Sequence, residues 1–314
     1  MNEFKNILVA ITHTHYNNDE IDKAIKLTKA NNAKLTIVAI DEPISRLAEL
    51  AMETKLKRLF THQLDEVVNE FRNKVNQAGV SNCDTRILWG KAYTEIIRLV
   101  QKENFDLVIK LADPFINFSR KKLTGDDLNL LRKCPVPVWL LVDTGTHTGD
   151  VKKILVAIDS DFDNDERVKL NKRLLSYADS LFTMEQAEEL HIIQVWGLYG
   201  EERLRGPFIN MPEEEIDEML EKTRSENERA MNNLINAEGM DKPGVIPHLI
   251  KGSASVEIQR LAQKEDVDMI VMGTVGRTGL AGFVIGNTAE NVLNEASCSV
   301  LAVKPEGFAA PTIK

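Results

Sequence analysis

The sequence predicts an α/β protein built as two tandem, doubly wound, parallel five-stranded sheets, and three observations carry that prediction. First, one unit occurs twice. KNILVAIT (Lys5 to Thr12) recurs as KKILVAID (Lys152 to Asp159), 147 positions on. RILWGKAYTEIIRLVQKENFDLVIKL (Arg86 to Leu111) lies over HLIKGSASVEIQRLAQKEDVDMIVMG (His248 to Gly273), 162 positions on, and continues without a gap to Val138 over Val300. Self-similarity this long signals duplication, not a short-period solenoid. Second, the apolar runs are short, β-branched and nearly continuous, as in strands covered on both faces of a parallel sheet. Third, stretches with helical spacing separate them.

The strands of the first copy are expected at Ile7–Ile11, Leu35–Ile40, Thr85–Leu88, Leu107–Ile109 and Val138–Val142. Pro135 and Pro137 are expected at the start of an edge strand, where a missing donor is tolerated. DTGTHTGD (Asp143 to Asp150) is a polar, turn-forming linker, so the domains are assigned to residues 1–143 and 151–306. In the second copy Ile154–Ile158 reads as a strand, Arg167–Leu181 as a helix, His191–Val195 as a strand and Pro212–Ala237 as a long amphipathic helix. Val245–Ile250 follows as a strand, Val256–Lys264 as a helix, Met269–Met272 as a strand, Asn287–Glu295 as a helix and Val300–Val303 as the last strand. The shift between the 147 and 162 offsets places 15 extra residues in the second copy, within the Gly-, Pro- and charge-rich stretch Gly197 to Glu215.

VDMIVMGTVGRTGLAGFVIGNTAENVL carries the chemistry. Gly273 ends an apolar strand, Gly276 follows three residues later, and Gly286 opens a helix after nine more. Glycines at a strand end and a helix start let backbone N–H groups close on an anion with no Cβ in the way. Neither a Walker A loop nor a G-x-G-x-x-G fingerprint is present here. At the same offset the first copy has Leu111, Pro114 and Thr124, and its first strand ends in Thr12, not Asp. Proline removes a donor and leucine adds bulk, so that crevice is expected to be closed to such an anion, with Leu111, Pro114 and Phe115 making its rim apolar.

The G-x-x-G-x9-G-N-T pattern, with the LLRKCPVPVW segment and the repeated order of elements, resembles the universal stress protein family, and most resembles its tandem E-type members. That resemblance implies strand order 3-2-1-4-5 in each copy. The ligand crevice then lies between strands 1 and 4, where the strand order reverses. It implies ATP in the second copy, with Mg²⁺ accompanying the phosphates. Asp159 and Val195 would hold the nucleoside, with Ile158, Met272 and Val275 beside them. Backbone around Gly273, Gly276, Arg277, Gly286 and Asn287, with the Thr288 hydroxyl, would hold the phosphates. Asn287 stands where members usually carry Ser or Thr directly after the last glycine. The implied role is a nucleotide-linked regulator in a stress response. Slow ATP hydrolysis at the same site, or an apolar, lipid-like ligand in the first copy, are the alternatives. The two copies would form an intramolecular pseudo-dimer, with which further homo-oligomers are compatible.

Composition excludes other classes. A formal net charge of −9 opposes binding to nucleic acid or anionic membrane. Three widely spaced cysteines, Cys83, Cys134 and Cys298, suit a reducing compartment. The N-terminal apolar run is too brief for a signal peptide, and none suffices for a membrane span. A cytoplasmic protein is expected. His13 and His15 have no third ligand nearby and read as loop residues, not a zinc site. Glu213, Glu214, Glu215, Asp217 and Glu218 read as an acidic helix start after Pro212. Trp89, Trp139 and Trp196 read as core. No nucleophile–base pair stands out, and no catalytic residue is assigned.

Overall fold

The computed structural model describes residues 4–12, 18–42, 54–113, 123–142, 150–274 and 285–308. In chain order the elements are β1 (Asn6–Thr12), α1 (Asn18–Asn31), β2 (Lys34–Asp41), α2 (Thr54–Gln77), β3 (Cys83–Trp89), α3 (Ala92–Glu103), β4 (Leu107–Leu111), α4 (Gly125–Lys133) and β5 (Val138–Leu141). The repeat follows as β6 (Lys153–Ile158), α5 (Asp165–Glu185), β7 (Glu189–Trp196), α6 (Glu201–Arg205), α7 (Glu213–Ala237), β8 (Val245–Lys251), α8 (Ala254–Lys264), β9 (Met269–Gly273), α9 (Asn287–Glu295) and β10 (Ser299–Val303). The expected strands are all present, and α6 occupies the stretch that the second copy has gained.

Two compact units result: Met1–Asp150 with Thr274–Lys314, and Val151–Gly273. In the first, the strand order is β3-β2-β1-β4-β5, all parallel, as the resemblance implies. In the second, β8-β7-β6-β9 are parallel and repeat the 3-2-1-4 part of that order. Central strands such as β1 and β4 are buried along nearly their whole length, so their continuous apolar sequence is what a sheet covered on both faces demands. The helices bury one stripe each. In α3 it is Ile96, Ile97, Leu99 and Val100.

Residues identical between copies turn out to do identical work. Gly90 and Gly252 take φ values of +147° and +155°, and a Cβ on either would press into the Glu95 or Glu257 side chain, 2.9 and 3.0 Å away. Each glutamate then pairs with the arginine three residues on, Arg98 or Arg260. Asp106 accepts from the N–H groups of Lys5 and Asn6, and Asp268, 162 positions on, accepts from those of Lys152 and Lys153.

One expectation needs correcting. β5 is not an edge strand, because it pairs with β4 on one side and antiparallel with β10 on the other. Pro135 and Pro137 stand ahead of Val138, outside the strand. The Pro137 carbonyl accepts from Val108 N at 3.0 Å, so the ladder loses no donor. The β5–β10 register sets Val138 opposite Ala302, Trp139 opposite Leu301 and Leu140 opposite Val300. Trp139 and Leu301 are the same position in the repeat, so the two strands meet about a local two-fold, as equivalent strands do in an isologous interface. Trp139 is fully buried there, Trp196 is buried, and Trp89 packs on Ala39, Leu64 and Val68. Among the described residues no helix is long and apolar enough to cross a membrane.

Candidate functional site

The carboxyl ends of β6, β7 and β9 gather five of the expected site residues within the second unit. The ladders pair Ile158 with Gln194 and Ala157 with Met272. One residue further along each strand come Asp159, Val195 and Gly273. This is the edge of an open α/β sheet where ligands bind, on either side of the strand at which the order turns. Ile158 and Met272 are buried in its floor, and Val195 and Asp159 are half-buried.

Helix α5 holds this edge in place, and three of its residues do so. Its N-cap is Asn164, whose side chain accepts from Glu166 N and Arg167 N, satisfying donors that a helix start leaves open. Asn171, fully buried, accepts from Asp159 N at 2.8 Å and donates to Asp159 O at 2.9 Å. It therefore replaces the ladder bonds that Asp159 gives up on leaving β6. Arg167 donates to Asp159 Oδ2 at 2.7 Å, and Asp161 N donates to Oδ1 at 2.9 Å. Leu170 rests on Gly273, where a Cβ would lie 2.8 Å from Leu170 Cδ2. The glycine that ends β9 is thus needed for helix packing.

Val275, Gly276 and Arg277 lie outside the described residues, as do Pro114, Phe115, His13 and His15. The flanks of the glycine segment are described, and both belong to the first unit. Thr274, fully buried, accepts from Gly286 N through its carbonyl at 3.0 Å. Gly286 is the N-cap of α9 with φ −66°, open to any residue, and no side chain caps that helix. Asn287 and Thr288 form its exposed first turn, with N–H groups that the helix itself does not use. Lys304, buried just past β10, donates to Leu131 O and Thr274 Oγ1. Burial pulls its ammonium down to about 7.

Arg167 and Asn171, which hold Asp159, and Lys304, which holds Thr274, are partners that sequence reasoning missed. For the first two a signal existed, since both fall within the helical run that follows Asp159. Lys304 had none. A second polar cluster lies apart from Asp159: His191 Nδ1 and His248 Nε2 are 2.9 Å apart, and Glu189 and Lys153 complete a chain beside them. Among the described residues no group of three His, Cys, Asp or Glu side chains is arranged to hold a metal. Cys134 is buried and its thiol pushed up to about 12; burial raises Cys83 to about 11. The Glu213–Glu215 run forms the first turn of α7, as expected.

Two doubly wound, parallel α/β units in one chain, the second with a carboxylate after its first strand and a glycine at the end of its fourth, define a tandem protein of the doubly wound α/β class. The model of the universal stress protein family matches residues 3–141 and 150–304, and the chain belongs to that family. It is similar to universal stress protein E of Salmonella typhi and of Escherichia coli K12, each 27% identical over 313 residues, covering 98% of this chain and 96% of theirs. A protein of unknown function from Pseudomonas aeruginosa PAO1 has a similar structure, with TM-score 0.74, 26% identity and coverage of 98% and 95%. A universal stress protein from Archaeoglobus fulgidus, 18% identical with TM-score 0.62 and coverage of 95% and 98%, shares the fold.

Proposed function

We propose that this chain binds ATP through its second copy and acts as a nucleotide-linked regulator in a stress response. The observation that carries the proposal is Asp159. Its backbone is clamped by Asn171, and its carboxylate stands at the switch point between Val195 and Gly273. A fixed carboxylate suits the hydroxyls of a ribose, which it can accept as charge-assisted bonds. Val195, Ile158 and Met272 supply apolar surface for a base. The phosphates fall to the glycine segment, through N–H groups around Gly276, Arg277, Gly286 and Asn287 and the Thr288 hydroxyl, at a helix start that lacks a side-chain cap. In this reading Gly286 N gives up its bond to Thr274 O or leaves the contact to Asn287 and Thr288. Magnesium enters as the counter-ion of the phosphates. Cytoplasmic location and an intramolecular pseudo-dimer of the two copies belong to the same reading.

Regulation then requires that ATP favour one arrangement of the chain over another by a difference in affinity. The test is titration of ATP, ADP and AMP into the intact protein and into Gly276→Pro, which removes one donor from the glycine segment. Saturable binding that Gly276→Pro weakens, with the melting temperature unchanged, supports the site. Equal affinity in both proteins would falsify the phosphate assignment.

A further inference from the structure

The first copy lost the glycines, and in their place it carries a buried ionic network. Asp127 lies in the first turn of α4, and its side chain is fully buried. Its Oδ2 accepts from Thr124 Oγ1 at 2.9 Å, from Asp113 N at 3.0 Å and from Thr124 N at 3.4 Å. Its Oδ1 accepts from the Lys110 ammonium at 2.9 Å. Lys110, 1% exposed on β4, also reaches Asp113 Oδ1 at 2.9 Å and Leu111 O at 2.8 Å. Thr12, at the end of β1, donates to that same Asp113 oxygen at 2.9 Å.

Each participant replaces a different residue of the second copy. Thr124 corresponds to Gly286, Asp127 to Ala289, Lys110 to Met272, Asp113 to Val275 and Thr12 to Asp159. The helix start that is uncapped in α9 is closed in α4 by a reciprocal Thr124–Asp127 capping box. Donors from a strand end, a loop and a helix start thus converge on one carboxylate. That is how such a sheet edge receives an anion, but here the anion is a side chain. Burial alone would lower the Lys110 ammonium, but the carboxylates of Asp127 and Asp113 raise it, while burial raises the Asp127 carboxyl against the opposing pull of Lys110.

We propose that Asp127 is a built-in anion that fills the first copy's counterpart of the phosphate position, with Lys110 as its counter-ion, so that this copy is permanently self-liganded and closed to external anions. The proposal stands on the Lys110–Asp127 geometry and does not require that the second copy bind ATP.

Removing the carboxylate should leave a cradle that accepts a small anion from solution. Thermal unfolding of the full chain is measured for the parent, Asp127→Ala and the double variant Lys110→Met with Asp127→Ala, in formate, inorganic phosphate or chloride at matched ionic strength. Asp127→Ala is expected to melt lower than the parent and to regain about 5 °C in saturating formate or phosphate over chloride. The parent and the double variant, which has the second copy's residues at both positions, should show no such gain in formate. If Asp127→Ala is unfolded as purified, the yield of refolding in formate against chloride gives the same readout. No gain from either anion over chloride, or an equal gain from formate in the parent, overturns the proposal.

Discussion

Asn171→Leu is the perturbation that most directly tests how α5 builds the edge of the second copy. Leucine shares asparagine's branched heavy-atom skeleton, so it can enter this fully buried position in the same rotamer, with two methyl groups larger than the amide atoms they replace. What is lost is the pair of hydrogen bonds to Asp159 N and O, at 2.8 and 2.9 Å. Each such bond is worth about 1 kcal/mol net, and each partner left unsatisfied where water reaches it poorly adds a further penalty. The sum is about 3 kcal/mol. For a domain of this size that corresponds to about 10 °C in melting temperature. Circular dichroism melts, with urea titrations to show that the m-value is unchanged, measure it. ATP affinity should fall in the same variant, because Asp159 then loses its fixed orientation while keeping its carboxylate. An Asn171→Leu protein that melts within about 1 °C of the parent would refute the clamp.

Other consequences are equally open to measurement. Burial, with the neighbouring His191, holds His248 below the ordinary histidine value, against the opposing pull of Glu265. The unfolded chain therefore binds its proton more readily, and this contribution to stability is present above about pH 6.5 and lost as the pH falls through the lowered folded value. His248→Gln should flatten the stability profile over that range, as urea melts at stepped pH would show. Lys304 has the same sign at higher pH. With its folded value at about 7, the unfolded state binds more protons from there to about 10, so stability rises with pH across that window. Lys304→Met should remove the rise and stabilise the protein near neutrality, as a urea series at pH 7 and 9 would reveal. Gly273→Ala places a methyl 2.8 Å from Leu170 Cδ2 and should cost about 1–3 kcal/mol. Adding Leu170→Val should recover part of that loss; no recovery in thermal melts would count against the packing role of the glycine.

Much of this molecule was written locally. The strands were legible because a parallel sheet buried on both faces needs continuous apolar runs, and the chain states each run twice. Gly90 with Glu95 and Gly252 with Glu257 stood out as repeated pairs before their positive φ values explained why only glycine serves. Asp159, Val195 and Gly273 could be placed together because the family resemblance implied a strand order that brings the ends of the first, second and fourth strands to one edge. The partners of those residues were harder to see. Pro135 and Pro137 suggested an edge strand, yet β10 pairs with β5 from far along the chain, a contact without any local period. Arg167 lay within a helix already recognised, but which side chain of that helix faces Asp159 depends on its packing angle. In the first copy the absent glycines were plain. What replaced them was not, since the Lys110–Asp127 pair spans a loop and involves a lysine that the apolar rhythm of β4 gave no reason to expect inside. Lys304 was hidden for the same reason: its contacts are to Leu131 and Thr274, both remote in sequence.

The proposed ATP site in the second copy depends most on Asp159. Isothermal titration of ATP into the intact chain and into Asp159→Ala tests it most directly, with circular dichroism to confirm that both are folded. A hydrogen bond to a charged group contributes about 1.5–3 kcal/mol. Saturable binding of ATP by the parent is therefore expected, with an affinity about 10- to 150-fold weaker in the variant. Identical binding curves for the two proteins, or no saturable binding by the parent, would contradict it.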